Sequence, residues 1–147
     1  MSLSEVISEK MKQAMKAKDR IAVETYRSIK SQLHNTEIEK GKELTEQDEI
    51  SVLTKEVKKR KESLEFFKKQ SRDDLIEKEE KELKIIETFL PDPLSREELI
   101  NIIDKVIQKT GAESMRDMGK VMGGVIPQVK GRIDGKTVQD AVKEKLS

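Results

Sequence analysis

The sequence predicts an all-α protein, and three observations carry that prediction. Of 147 residues, 40% are charged, 34% hydrophobic and 3% aromatic, enough for one buried stripe per helix and little more. Apolar residues recur at three- and four-residue spacing, and no segment alternates with the period of two that a half-buried strand requires. Gly and Pro are scarce before residue 90 and cluster after it, which separates long uninterrupted helices from shorter ones.

Four amphipathic helices are expected in an N-terminal domain, residues 1–90. In the first, Ser2 and Glu5 are spaced as a capping box, and Leu3, Val6, Ile7, Lys10, Met11, Ala14 and Met15 share a face. Asp19 is placed to cap the second, whose Ala22, Tyr26, Ile29 and Leu33 lead to a stop at Gly41. Thr45 with Asp48 opens the third, with Ile50, Leu53, Val57, Leu64 and Phe67 on its seam and Arg60 interrupting it. Ser71 with Asp74 is expected to start the fourth, where Leu75, Glu79, Leu83, Ile86 and Leu90 form a stripe.

"LPDPLS" then breaks the chain. Pro91 and Pro93 push the residues before them into extended geometry, so residues 91–95 read as a linker and the domain boundary. Residues 96–147 read as a small three-helix C-terminal domain. Ser95 and Glu98 suggest a capping box ahead of Leu99, Ile102, Ile103, Val106 and Ile107, ending at Gly111. Ser114 and Asp117 cap the next helix, with Met115, Met118, Val121, Met122 and Val125 inward. Asp134 caps a last helix from about Lys136, burying Val138, Ala141, Val142 and Leu146.

Net charge is +1, and it hides segregation along the chain. Lys55 to Arg72 holds eight cations against three anions, whereas Asp73 to Glu82 holds six anions against two cations. With Phe66 and Phe67, the basic segment could face RNA; its blander reading is a solvated face paired with the acidic run that follows. No cysteine is present, which excludes disulfides, thiolate metal sites and Cys nucleophiles. The N-terminus lacks the apolar run of a signal peptide, and no stretch approaches the roughly 18 residues of a membrane helix. A soluble, cytoplasmic protein without membrane or metal partners is the expectation.

The stretch "DMGKVMGGVIPQVKGRIDGKT" holds five of the seven glycines. Its Gly131…Gly135-Lys136-Thr137 falls one residue short of a Walker A loop, and no strand precedes it. The glycines have structural readings instead. Gly119 and Gly123, four apart on one face, would admit a close neighbour, the Gly123-Gly124 pair would allow a kink at Pro127, Gly131 would stop a helix, and Asp134-Gly135 would turn into the last one. Around them, Lys120, Lys130, Arg132 and Lys136 are candidates to contact an RNA phosphate backbone. A rival reading gives Met115, Met118 and Met122 to a protein partner, since methionine suits adaptable interfaces.

The stretch "DMGKVMGGVIPQVKGRIDGKTVQDAVKEKL", with "MKQAMKAKD", "NTEIEKGKELTEQD", "KKRKESLEFFKKQSRDDLIEKEEKEL" and "FLPDPLSREEL" upstream, resembles the YqeY-like proteins across essentially the whole chain. These are related to the tail domain of the glutamyl/aspartyl-tRNA amidotransferase (GatB/YqeY). Two positions depart from the pattern: Tyr26 stands where Leu is expected, and Gly124 where Ala is usual. The resemblance implies a helical adaptor that contacts tRNA or another structured RNA. It also brings the family label of a carbon–nitrogen ligase with glutamine as amido donor.

The residues themselves supply no support for that chemistry. Glutamine hydrolysis needs an activated nucleophile beside a base, and no serine sits in such a setting. The lone His34 lies on the second helix with no partner ligands in sequence. No catalytic residue, cofactor or metal site is expected, and a protein partner is the alternative to RNA.

Overall fold

The computed structural model describes residues 2–147, and every regular element among them is helical. Seven α-helices and one 3-10 turn fall into two compact units, Met1–Leu90 and Pro91–Ser147.

In the first unit, α1 (Leu3–Lys16) begins at the Ser2–Glu5 capping box, and α2 (Arg20–Lys40) begins where the Asp19 carboxylate accepts from the Ala22 N–H. Gly41 ends α2 with φ 74°, the left-handed geometry that only glycine adopts cheaply. A second capping box, Thr45 with Asp48, opens α3 (Glu46–Lys69). Lys40 also bonds the Asp48 carboxylate. That bond is the main reason the carboxyl is lowered to about 2, with the Thr45 backbone and side chain adding to it.

The start of α4 (Asp73–Glu87) differs from the sequence expectation. Ser71 does not cap it; Arg72 holds the cap position, and its side chain accepts no backbone N–H of the helix but donates to the Asp74 carboxylate. Ser71 instead closes α3. Its N–H reaches the Lys68 carbonyl, the Arg72 N–H reaches that of Phe67, and Ser71 itself takes φ 54°. This is a Schellman closure with serine where glycine is usual, so the chain reverses within three residues.

Here α1 packs on α2, and α4 packs on both α2 and α3. Ile7, Ile29, Leu33, Val52, Leu53 and Ile86 form the core, with Tyr26 and Phe89 edge-to-face at 6.1 Å. Burial, then nearby Asp19, raises the Tyr26 hydroxyl pKa. Arg60 does interrupt the apolar seam: its Nε lies 3.4 Å from Glu82 and 4.0 Å from Glu79 on α4, and its Nη2 lies 3.8 Å from Glu56.

In the second unit, α5 (Arg96–Thr110) is capped by Ser95, whose hydroxyl accepts from the Glu98 N–H. The Ser95 hydroxyl in turn donates to the Glu98 carboxylate at 3.0 Å. The Ser114–Asp117 box closes a 3-10 turn, Met115–Asp117, and α6 (Met118–Val129) follows. Helix α7 (Gly135–Leu146) starts one residue earlier than expected. Eleven aliphatic residues, including Leu99, Ile103, Val121, Val125 and Val142 with no exposure, make a core without a buried charge.

The glycines divide in an unexpected way. A Cβ at Gly124 would lie 2.7 Å from Cγ1 of Val106, so this glycine lets α6 approach α5. At Gly119 and Gly123 a Cβ would meet nothing within 4 Å, so neither serves the close helix approach expected of it. They lie on the outer side of α6. Pro127 sits within the helix and offers no N–H to the Gly123 carbonyl, while the Gln128 side chain donates to the Gly124 carbonyl at 2.9 Å.

Candidate nucleic-acid interface

The basic residues singled out around the glycines lie on α6, α7 and the loop between them. Leaving α6, the chain turns at Gly131 with φ 82°, and the Arg132 N–H closes back on the Val129 carbonyl at 2.9 Å. The Arg132 carbonyl accepts from the Leu94 N–H, also at 2.9 Å. Its guanidinium continues inward: Nε donates to the Asp92 carbonyl at 2.9 Å, and Nη2 reaches Glu98 at 3.3 Å. Arg132 therefore straps the Asp92–Leu94 segment to the α6–α7 loop. Ser95 first, and Arg132 after it, hold the Glu98 carboxyl below its usual range.

The three lysines are placed differently. Lys130 and Lys136 are exposed and, among the described residues, have no carboxylate within 4 Å. Lys120 is exposed too and lies 4.0 Å from Asp117. Backbone N–H groups, that of Glu113 foremost, hold Asp117 ionised below its usual range, so Lys120 is partly neutralised.

Gly135-Lys136-Thr137 forms the first turn of α7. The Thr137 N–H, which in a phosphate loop would face the ligand, donates at 2.7 Å to the Asp134 carboxylate. An acid occupies the anion's position, and no strand is found among the described residues. Of the methionines, Met118 and Met122 pack against the core while Met115 is 40% exposed, so they do not form one continuous exposed stripe.

Two shallow depressions exist elsewhere. One, of about 360 Å³, lies between α2 and α3 and is lined by Gln32, Asn35, Ser51, Lys55 and Glu56 among others. Its Ser51 hydroxyl donates to the Gln47 carbonyl at 3.0 Å. The other, of about 240 Å³, lies by Arg96, Ile100 and Glu144. His34 is exposed on α2. Among the described residues no three His, Cys, Asp or Glu side chains are grouped to hold a metal ion.

The Glu56–Arg60–Glu79–Glu82 cluster is only half legible in the sequence. Arg60 and Glu79 fall on apolar stripes, where a charge stands out, but nothing in the pattern marks Glu56 or Glu82. Glu82 is 5% exposed, and its Oε2, Glu79 Oε2 and Arg60 Nε have no hydrogen-bond partner among the described residues. Burial raises the Glu82 pKa, Arg60 opposes that, and Glu79 adds to it. Three carboxylates around one guanidinium, with only half-exposed Lys78 at 3.9 Å beyond it, make a buried site short of positive charge.

The chain is all-helical among its described residues and carries an exposed lysine set on α6 and α7. The chain belongs to a family described as Yqey-like protein, whose model matches residues 4–146. It is similar to proteins named altered inheritance of mitochondria protein 41, mitochondrial. The one from Pyrenophora tritici-repentis is 29% identical over 136 residues, covering 91% of this chain and 75% of the relative. That from Kluyveromyces lactis is 34% identical over 143 residues, with 93% and 72% covered. The Clavispora lusitaniae protein is 35% identical over 120 residues, with 81% and 69% covered. These names overturn the cytoplasmic placement expected from the sequence, since the relatives are named as mitochondrial. An apolar run is the mark of secretion, whereas a mitochondrial targeting segment is amphipathic and Arg-rich, so looking for the former does not select a compartment. No described helix is long and apolar enough to cross a membrane.

Proposed function

We propose that this chain is a non-catalytic helical adaptor that binds tRNA or another structured RNA through residues 96–147, a domain joined to the first by the 91–95 linker. The observation that carries the reading is the pairing state of the basic residues. Lys130 and Lys136 stand exposed with no described carboxylate within 4 Å, on either side of a loop that Arg132 fixes by two inward bonds. Such cations on a fixed loop can neutralise phosphates, and they lose no ion pair in doing so. Lys120 joins them once the phosphate outcompetes the distant Asp117, and Arg132 contributes through the shape it imposes. The glycines support the arrangement: Gly124 and Gly131 set the helix packing and the turn, while Gly119, Gly123 and Gly135 leave open space on the outside.

Such contacts read charge and shape, so Lys130→Ala with Lys136→Ala weakens every structured RNA alike and leaves the thermal midpoint unchanged. Wild-type affinity in that double variant overturns the assignment. The family's amidotransferase label finds no catalytic group among the described residues; ammonia release from glutamine by the purified protein would reverse that reading.

A further inference from the structure

We infer that the outer face of α3 is a second RNA surface, one that takes a single-stranded or looped segment by stacking an unpaired base on Phe66. The inference rests on the RNA-binding reading above and extends it to the first unit. Its basis is which charges are already satisfied. The acidic run of α4 would be expected to neutralise the basic run of α3, and it does not. Arg60 makes the only ion pairs between the two helices among the described residues. The α4 carboxylates otherwise pair with neighbours of their own segment, Asp74 with Arg72, Glu77 with Lys81 and Glu82 with Lys78. Lys55, Lys58, Lys59, Lys61, Lys68 and Lys69 are all exposed, and none has a described carboxylate within 4 Å.

The spacing then sorts them. Lys55, Lys59, Glu62, Phe66 and Lys69 fall at i, i+4, i+7, i+11 and i+14, one stripe along the helix, and all five are exposed. At 1.5 Å per residue the stripe is about 21 Å long. Phe66 is 56% exposed, the largest apolar side chain left in solvent by this unit. Phe67 packs against it in a T-shaped pair, ring centroids 5.8 Å apart at 67°, which steadies the ring. Glu62 is the one carboxylate on the stripe. An exposed ring flanked by unpaired lysines is the arrangement that binds single strands without reading sequence, because every base offers a π-face and every nucleotide a phosphate. A membrane surface would instead require a continuous apolar face beside the charges, and Phe66 is the one apolar residue on this stripe.

The test uses the full chain and fluorescently labelled oligouridylate of about 12 nucleotides, with an RNA duplex of equal length as comparison. Phe66→Ala is expected to weaken the single strand about 5- to 150-fold and leave the duplex unchanged. Replacing Lys55, Lys59 and Lys69 with Ala should weaken it too and lower the salt slope by about 2, at roughly 0.7 per phosphate contact. All four residues are exposed, so circular dichroism melts should match wild type. Lys130→Ala with Lys136→Ala should spare the single strand and weaken tRNA. Several results overturn the proposal: wild-type affinity in Phe66→Ala, equal binding of polyglutamate, or Phe66-dependent binding only to phosphatidylserine vesicles. Loss of tRNA binding in the tail variant with no effect of the α3 variants rejects this surface and keeps the tail. The reverse pattern rejects the tail and keeps this surface.

Discussion

The two units solve the same packing problem with different materials. The second, 57 residues from Pro91 to Ser147, buries eleven aliphatic residues and no charge. The first is longer by more than half, yet it buries only ten apolar residues, six of them in its central cluster, and it buries Thr25, Glu56 and Glu82 as well. Apolar burial carries the second unit, while the first gives part of its interior to a cluster in which carboxylates outnumber cations. Replacing one partner of such a cluster strands the others, whereas replacing the whole by apolar groups can be neutral or better. The contrast therefore yields opposite responses to substitution.

The largest effect is expected at Arg60. Arg60→Ala leaves Glu56, Glu79 and Glu82 facing one another and should destabilise the first unit by about 3–5 kcal/mol in chemical denaturation. Combining Arg60→Leu with Glu82→Leu should recover most of that loss; a double variant as unstable as the single would mean the ion pairs themselves hold α3 to α4. In the second unit, Leu99→Ala should cost about 2–5 kcal/mol through lost burial and the cavity left behind. No polar replacement there should rescue it.

Much of this contrast could be read in advance. The caps at Ser2, Asp19, Thr45 and Asp134 follow from residue type and spacing alone, and each is made as written. Ser71 misled because a capping residue followed at three by an acid has a second use, the closure of the preceding helix, and local sequence does not choose between them. The glycines misled for a different reason. A four-residue spacing puts Gly119 and Gly123 on one face, but which face meets α5 depends on the whole apolar stripe; Gly124 adjoins Val125 and Val121 on the buried side. The same limit applies to the lysines. Their number is plain in the sequence, and only the fold shows that Arg132 turns inward while the α3 lysines stay unpaired.

The glycine division provides a smaller and sharper comparison. Gly124→Ala should lose about 1 kcal/mol, the crowding against Val106 outweighing the gain in helix propensity. Pairing it with Val106→Ala should make the two substitutions non-additive, since the second removes the obstructing methyl. Gly123→Ala, with nothing within 4 Å, should instead gain up to about 1 kcal/mol. Equal effects at the two sites would contradict the packing described.

The smallest effect is a pH dependence. Glu82 has its folded pKa raised, chiefly by burial, so the folded state holds the proton more tightly than the unfolded chain. Its contribution is favourable below the unfolded value near 4.5 and is lost as pH rises through the raised folded value. Stability of the first unit should fall across that interval, and Glu82→Gln should flatten the fall. Asp48 works in the opposite sense: with its pKa lowered to about 2, its contribution is lost as pH falls from near 3.8 towards 2.

The proposed RNA binding rests on unpaired lysines that meet phosphates from a fixed helical scaffold. A titration of bulk tRNA against the full chain, repeated from about 50 to 200 mM salt, tests it most directly. The expected result is binding at low salt, with log affinity falling linearly in log salt and a slope steeper than about −3. No binding at the lowest salt, or an affinity indifferent to salt, would contradict it.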